Sequence, residues 1–135
     1  MSINIFVRHY WRSALVVCCI LYLSFAPPST FKKVHTVENE DKLVHLLMYA
    51  GLSFILMFDF LTHQKPKYRL LLFVLIGMIF PILMGGILEI IQSIYFAPRS
   101  GSWGDFSANS LGVIISYTIV YQLKKGKLTK PFKRF

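Results

Sequence analysis

Residues 69–96 read RLLLFVLIGMIFPILMGGILEIIQSIYF, and their 28 positions carry only two charges, Arg69 at the start and Glu89 near the end. As an α-helix this run extends about 42 Å at 1.5 Å per residue, more than the roughly 30 Å of a bilayer's hydrocarbon core. Working outward, three more apolar stretches appear. Residues 10–26 end at Pro27-Pro28, residues 42–61 stop before His63-Gln64-Lys65-Pro66, and residues 105–123 precede a basic tail, 124–135. Backbone groups in lipid must be satisfied within a segment, so such stretches read as helices, and no ten-residue alternation suggests a barrel. The expectation is an all-α polytopic membrane protein, a four-transmembrane-helix bundle forming one domain over residues 1–135.

Composition agrees. Of 135 residues, 55% are hydrophobic and 16% charged, where an ordinary soluble domain carries about 25% charged. Mean hydropathy is +0.55. A soluble domain this small could not hide that much apolar surface, and a disordered chain would not contain it. The net charge of +9 raises nucleic acid as a partner. No helix-turn-helix or zinc-finger spacing accompanies it, so no nucleic-acid partner is expected. Cys18 and Cys19 are adjacent within an apolar run and do not suggest a disulfide.

The first stretch has a basic start, Arg8 and Arg12, but no small-x-small site before Pro27, so it reads as a retained anchor rather than a signal peptide. The basic residues then set the orientation. With the N-terminus cytoplasmic, eleven Lys and Arg fall inside and four outside, namely Lys32, Lys33, Lys42 and Arg99. The positive-inside rule therefore puts both termini in the cytoplasm, in the cytoplasmic (inner) membrane. Tyr10, Trp11, Tyr68 and Tyr121 fall at the inner boundary, and Tyr95, Phe96 and Trp103 at the outer one.

On this topology the unusual polar residues converge. Asp41, Lys42 and His45 open the second helix, Glu89 and Gln92 lie near the outer end of the third, Arg99 is in the outer loop, and Asp105 and Asn109 open the fourth. Four-residue spacing places Asp41, His45 and Tyr49 on one face; Gly85, Glu89 and Gln92 share another, and Asp105, Asn109, Gly112 and Ser116 a third. Pro81 removes the helical bond to the Gly77 carbonyl and is expected to bend the third helix, opening a cleft around Glu89.

At these residues the chain resembles the VanZ-like family. Asp41-Lys42-x-x-His45, Glu89-x-x-Gln92, Pro98-Arg99 and Asp105-x-x-x-Asn109-x-x-Gly112 follow that family's four ordered motifs, and Ser24 and Pro27 also fit. The likeness runs from about residue 24 to 112. It implies a small integral membrane protein with a role in the cell envelope, in a family whose namesake is associated with teicoplanin resistance. It does not supply a reaction.

Each candidate has a plainer reading. A charge well inside a bilayer costs about 2.5 kcal/mol or more, so Glu89 is either functional or a paired acid bonded to Asn109 or Gln92. Ser102-x-x-Asp105 matches a capping box, and Asp41 is placed to cap the second helix. His45 is a candidate base, ligand or hydrogen-bonding core residue. A metal site from His45, Glu89 and Asp105 is chemically possible, but no sequential ligand spacing supports it, and neither a metal nor a cofactor is expected. Lys42 and Arg99 suit an anionic headgroup, or ordinary interfacial lipid. Asp59 reads as a solvated or paired boundary acid, and His9, His35 and His63 show no constellation.

Three readings of function compete. One is an outward-facing site that binds or modifies an envelope lipid or lipid-linked precursor. Asp41, His45, Glu89 and Asp105 would be its candidate catalytic groups, with Lys42, Gln92, Arg99 and Asn109 as candidate substrate contacts. The second is a non-catalytic scaffold or accessory subunit whose polar residues hold helices together, docking a membrane-protein partner or a second copy. The third is a small transporter, which lacks visible inverted repeats.

Overall fold

The computed structural model describes residues 3–26, 40–63, 69–95 and 101–128. Among these every regular element is a helix. The elements are α1 (Ile3–Phe25), α2 (Glu40–His63), α3 (Arg69–Val74), a π-helical turn (Leu75–Ile79), α4 (Phe80–Tyr95) and α5 (Trp103–Leu128). The four apolar stretches each become a helix, with α3, the π turn and α4 forming one continuous rod. Most boundaries agree with the sequence reading to within two residues, and two differ by more. Helix α1 begins seven residues before Tyr10, and α5 runs four residues past Lys124 into the basic tail.

Helix α2 is the centre of the bundle. It packs most extensively on α5, and also on α1, the π turn and α4. Its face carrying Tyr49, Leu52 and Leu56 meets Ile20 of α1, Leu88 of α4 and Val113 of α5 in one apolar cluster. Nearer its C-terminal end, Met57 and Phe60 pack with Phe73 and Val120. Small residues permit the close approach of α2 and α5, since a Cβ on Gly112 would run into the Leu46 carbonyl.

Pro81 is answered by a change of helical pitch. The Phe80 N–H bonds back to the Leu75 carbonyl, five residues away, and the Gly77 carbonyl that Pro81 cannot serve accepts from Ser53 Oγ of α2 at 2.5 Å. Gly77 is itself fixed by packing, because a Cβ there would collide with the Met57 side chain.

Among the described residues two helices, Glu40–His63 and Leu70–Tyr95, are long and apolar enough to cross a membrane. The core helix of a soluble protein would pass the same test but would be largely covered. In the more apolar of these two, only 22% of the best 18-residue window is buried. Leu71, Leu83, Ile87, Ile90 and Ile94 face outward. Helices α1 and α5 have the length but are more polar, carrying Arg8, His9 and Arg12, and Asp105, Asn109, Gln122 and Lys124.

A second polar contact lies at the opposite end of α2. Asp59, 1% exposed, accepts hydrogen bonds from Ser13 Oγ at 2.7 Å and Ser13 N at 3.3 Å, with Arg12 at 3.9 Å. It is the paired acid of the two alternatives. His9 and His63 do form a constellation, contrary to the sequence reading: their rings stack with centroids 4.1 Å apart. Proximity of the two helix ends, which no spacing encodes, brings them together. His35 lies outside the described residues.

Candidate functional site

The polar residues meet where the N-terminal ends of α2 and α5 adjoin the C-terminal half of α4. His45 is 6% exposed and Asn109 1%. His45 Nδ1 lies 3.0 Å from Asn109 Oδ1, and Asn109 Nδ2 donates to Glu89 Oε1 at 3.4 Å. His45 Nδ1 is also 3.7 Å from that same carboxylate oxygen, and its Nε2 is 3.8 Å from Asp41 Oδ1. Three helices thus contribute to one chain of side chains, Asp41–His45–Asn109–Glu89.

Glycines make the meeting possible. Over Gly85 the ring of Tyr49 and the amide of Asn109 come within 3.1–3.3 Å of where a Cβ would stand, and Phe106 covers Gly86 in the same way. Any larger side chain at Gly85 would push Asn109 away from Glu89. This is the close helix approach that small residues provide.

Glu89 is buried about 9 Å before the end of its helix, counting six residues to Tyr95 at 1.5 Å each. Its second oxygen, Oε2, accepts from the backbone N–H of Ser102 at 3.2 Å. Gly101 lies so close that a Cβ there would overlap the Glu89 carbonyl. The segment entering α5 is therefore seated directly on α4.

The capping box is only half formed. Ser102 Oγ accepts from Asp105 N at 3.0 Å, as a helix cap should. In the reciprocal half the carboxylate at the third helical position would take the N-cap N–H. Here that N–H goes to Glu89, so the Asp105 carboxylate is not used in the cap. Asp41 is not a cap either: α2 begins at Glu40, which puts Asp41 inside the first turn, one turn ahead of His45.

Of the eight residues singled out from sequence, Asp41, His45, Glu89, Asp105 and Asn109 come together. Lys42 lies beside Gly104, with Cε 3.0 Å and Nζ 3.8 Å from the position of a Cβ there, at the edge of the cluster. Gln92 turns elsewhere, donating to the Ser24 carbonyl at 2.8 Å and tying α4 to the end of α1. Arg99 and Pro98 lie outside the described residues. Sequence reasoning did not assign Ser102 and Gly101 to the Glu89 side; nothing in their spacing announces that contact.

Beside Glu89 a groove of about 340 Å³ opens between α4 and α5. Glu89, Ser93 and Ser102 give it polar points, while Ile90, Trp103 and Phe106 make it apolar. Trp103 is 86% exposed at its rim. A cleft does lie beside Glu89, but its walls are α4, α5 and the residues entering α5, whereas the sequence reading had it opened by a bend at Pro81.

No family model, curated protein or solved structure matches this chain.

Proposed function

We propose that the chain is a four-span protein of the cytoplasmic membrane, with both termini inside. Its outward-facing polar site binds or modifies a cell-envelope lipid or lipid-linked precursor. The observation that carries this reading is the meeting of His45, Asn109 and Glu89 from three helices beside a groove that is apolar along one wall and polar at Glu89 and Ser102. A groove of that character suits an amphipathic ligand, with its headgroup at the cluster and its chain along Ile90 and Phe106. Lys42, and Arg99 by its place in the sequence just ahead of α5, would favour an anionic headgroup. The exposed apolar surface of α3 and α4 supports the membrane setting, and the excess of basic residues in the segments assigned to the cytoplasm supports the orientation.

The resemblance of the four motifs to the VanZ-like family supports an envelope role, and with it a link to teicoplanin-type resistance is part of this proposal. In a glycopeptide-susceptible host, expression of the chain raises teicoplanin tolerance. Glu89→Gln and Arg99→Ala remove that gain at unchanged protein level. Tolerance that survives both substitutions sinks the lipid-site reading. Reporter fusions at each terminus check the orientation independently.

A second reading has its own observation. Glu89 links to the segment entering α5 through Ser102, Asn109 joins α5 to α2 and α4, and Gln92 holds the end of α1. A scaffold whose polar residues hold helices together, docking a membrane-protein partner or a second copy, would need the same bonds. It differs in one respect: Glu89→Gln and Asp105→Asn would then lower the unfolding temperature together with any cellular effect.

A further inference from the structure

Two helices bring three potential ligands together where the N-terminal ends of α2 and α5 meet. Asp41 and His45 on α2 and Asp105 on α5 each offer one ligating atom, and the three atoms lie within 4.8 Å of one another. Both carboxylates lie in first turns, where the helix dipole favours a negative charge, but neither is engaged as a cap. Asp41 stands inside the first turn and reaches toward His45. The N–H that Asp105 would take in a full capping box is given to Glu89 instead.

His45 supplies the independent observation. Its ring is buried, and Nδ1 is fixed by Asn109, whose amide nitrogen is turned to Glu89. The Asn109 oxygen can only accept, so in the neutral imidazole, the form that binds metal, Nδ1 carries the proton and Nε2 the lone pair. That lone pair faces Asp41 Oδ1 at 3.8 Å, too far for a hydrogen bond. Metal-binding imidazoles are held this way, with the far N–H anchored by an acceptor that fixes the tautomer and aims the other nitrogen. Charge points in the same direction. Asp41, Glu89 and Asp105 place three carboxyl groups about His45, against the ammonium of Lys42 among the described residues.

We propose that Asp41, His45 and Asp105 bind a divalent metal ion of the zinc or manganese class, through one imidazole nitrogen and two carboxylate oxygens. The mixed donor set favours these ions over magnesium and calcium, which prefer all-oxygen ligands. Bonds of about 2.0–2.2 Å bring ligand atoms to roughly 3.0–3.5 Å from one another, so the three side chains close by about 1 Å. Asp41, with its side chain 52% exposed, has the freedom to do so, and gives the ion a path from solvent. Three protein ligands leave a position open, where an anionic oxygen of a bound ligand completes the shell. The inference rests on the same site as the lipid reading and names the cation that would hold a headgroup there; binding of the ion itself needs no lipid.

The test uses the purified full chain in detergent, freed of affinity tag and chelator-stripped, titrated calorimetrically with Zn²⁺ alone and with Mn²⁺ alone. One equivalent binds. Asp105→Asn and His45→Gln each weaken binding at least tenfold, and Asn109→Leu, which releases the far nitrogen, weakens it by about 10- to 100-fold. The double variant His9→Gln/His63→Gln removes the stacked pair at the other end of α2 and leaves binding unchanged. X-ray absorption on the zinc-loaded wild type, which does not depend on any variant folding, shows a shell of nitrogen and oxygen ligands at about 2.0–2.2 Å without sulfur. Absence of saturable binding to the wild type overturns the proposal. So does binding that ignores Asp105→Asn and His45→Gln, or that is lost in the His9/His63 variant. Wild-type protein that binds lipid but takes up no metal would refute this inference alone, whereas stoichiometric metal uptake without lipid binding would support it and leave the lipid reading refuted.

Discussion

Ser53 on α2 donates its hydroxyl to the Gly77 carbonyl across the helix interface, supplying the hydrogen bond that Pro81, four residues beyond Gly77, cannot make. The proline and the serine lie 28 positions apart in sequence, yet one answers the backbone defect created by the other. With Gly77 pressed against Met57, this contact fixes how the rod of α3 and α4 lies along α2.

Ser53→Ala therefore removes this donor from the buried Gly77 carbonyl. The expected loss is about 1 kcal/mol, read as a lower unfolding temperature in detergent. Ser93→Ala is the control, because Ser93 Oγ is exposed and bonds only within its own helix; it changes stability by less than about 0.5 kcal/mol.

At Glu89 the geometry separates two substitutions. Glu89→Gln keeps a side-chain oxygen for the Ser102 N–H but turns its NH2 toward Asn109 Nδ2, losing only the longer 3.4 Å bond, and costs about 1 kcal/mol. Glu89→Leu strips the acceptor from both Ser102 N and Asn109 Nδ2 and costs about 2 kcal/mol. Asp105→Asn loses no cap bond, because the cap is made by Ser102 Oγ, and relieves repulsion with Asp41 and Glu89. In metal-free protein its unfolding temperature stays level or rises. A fall of several degrees for both Glu89→Gln and Asp105→Asn would favour the scaffold reading.

Gly112 on α5 and Gly51 on α2 give opposite outcomes. Gly112→Ala sets a methyl against the Leu46 carbonyl and forces α5 off α2, costing about 2 kcal/mol or more. Gly51→Ala meets nothing within 4 Å, and its better helix propensity leaves stability equal or raised by up to about 1 kcal/mol. Thermal unfolding of the two variants side by side checks both signs.

Asp59 tests the far end of α2. Asp59→Ala frees two Ser13 donors in a buried place and costs about 2–3 kcal/mol. Arg12→Ala removes a half-exposed partner at 3.9 Å and costs less than about 1 kcal/mol. The comparison, by thermal unfolding or detergent denaturation, identifies the hydroxyl and backbone bonds as the holding interaction.

Helices and their approximate ends were legible from sequence because hydrophobic run length and proline placement act locally. The runs 42–61 and 69–96 reappear as Glu40–His63 and Arg69–Tyr95. The candidate cluster was legible in outline for the same reason. Spacing of four puts Asp41 and His45 on one face, and Asp105 and Asn109 on another, whatever the helices later pack against.

Partner choice was decided only in three dimensions. A capping signature at Ser102 and Asp105 predicts a reciprocal pair, but the arrival of α4 offers Ser102 a better-placed carboxylate in Glu89, and Asp105 is left for other work. Gln92 shares a face with Glu89, yet the end of α1 passes near enough to take its amide through Ser24. His9 and His63 sit 54 positions apart and stack because the start of α1 meets the end of α2. Hydrogen bonds and ion contacts reach only a few ångströms, so which polar group satisfies which depends on how helices approach. That approach is set by Gly77, Gly85 and Gly112 acting together with the side chains that fit against them.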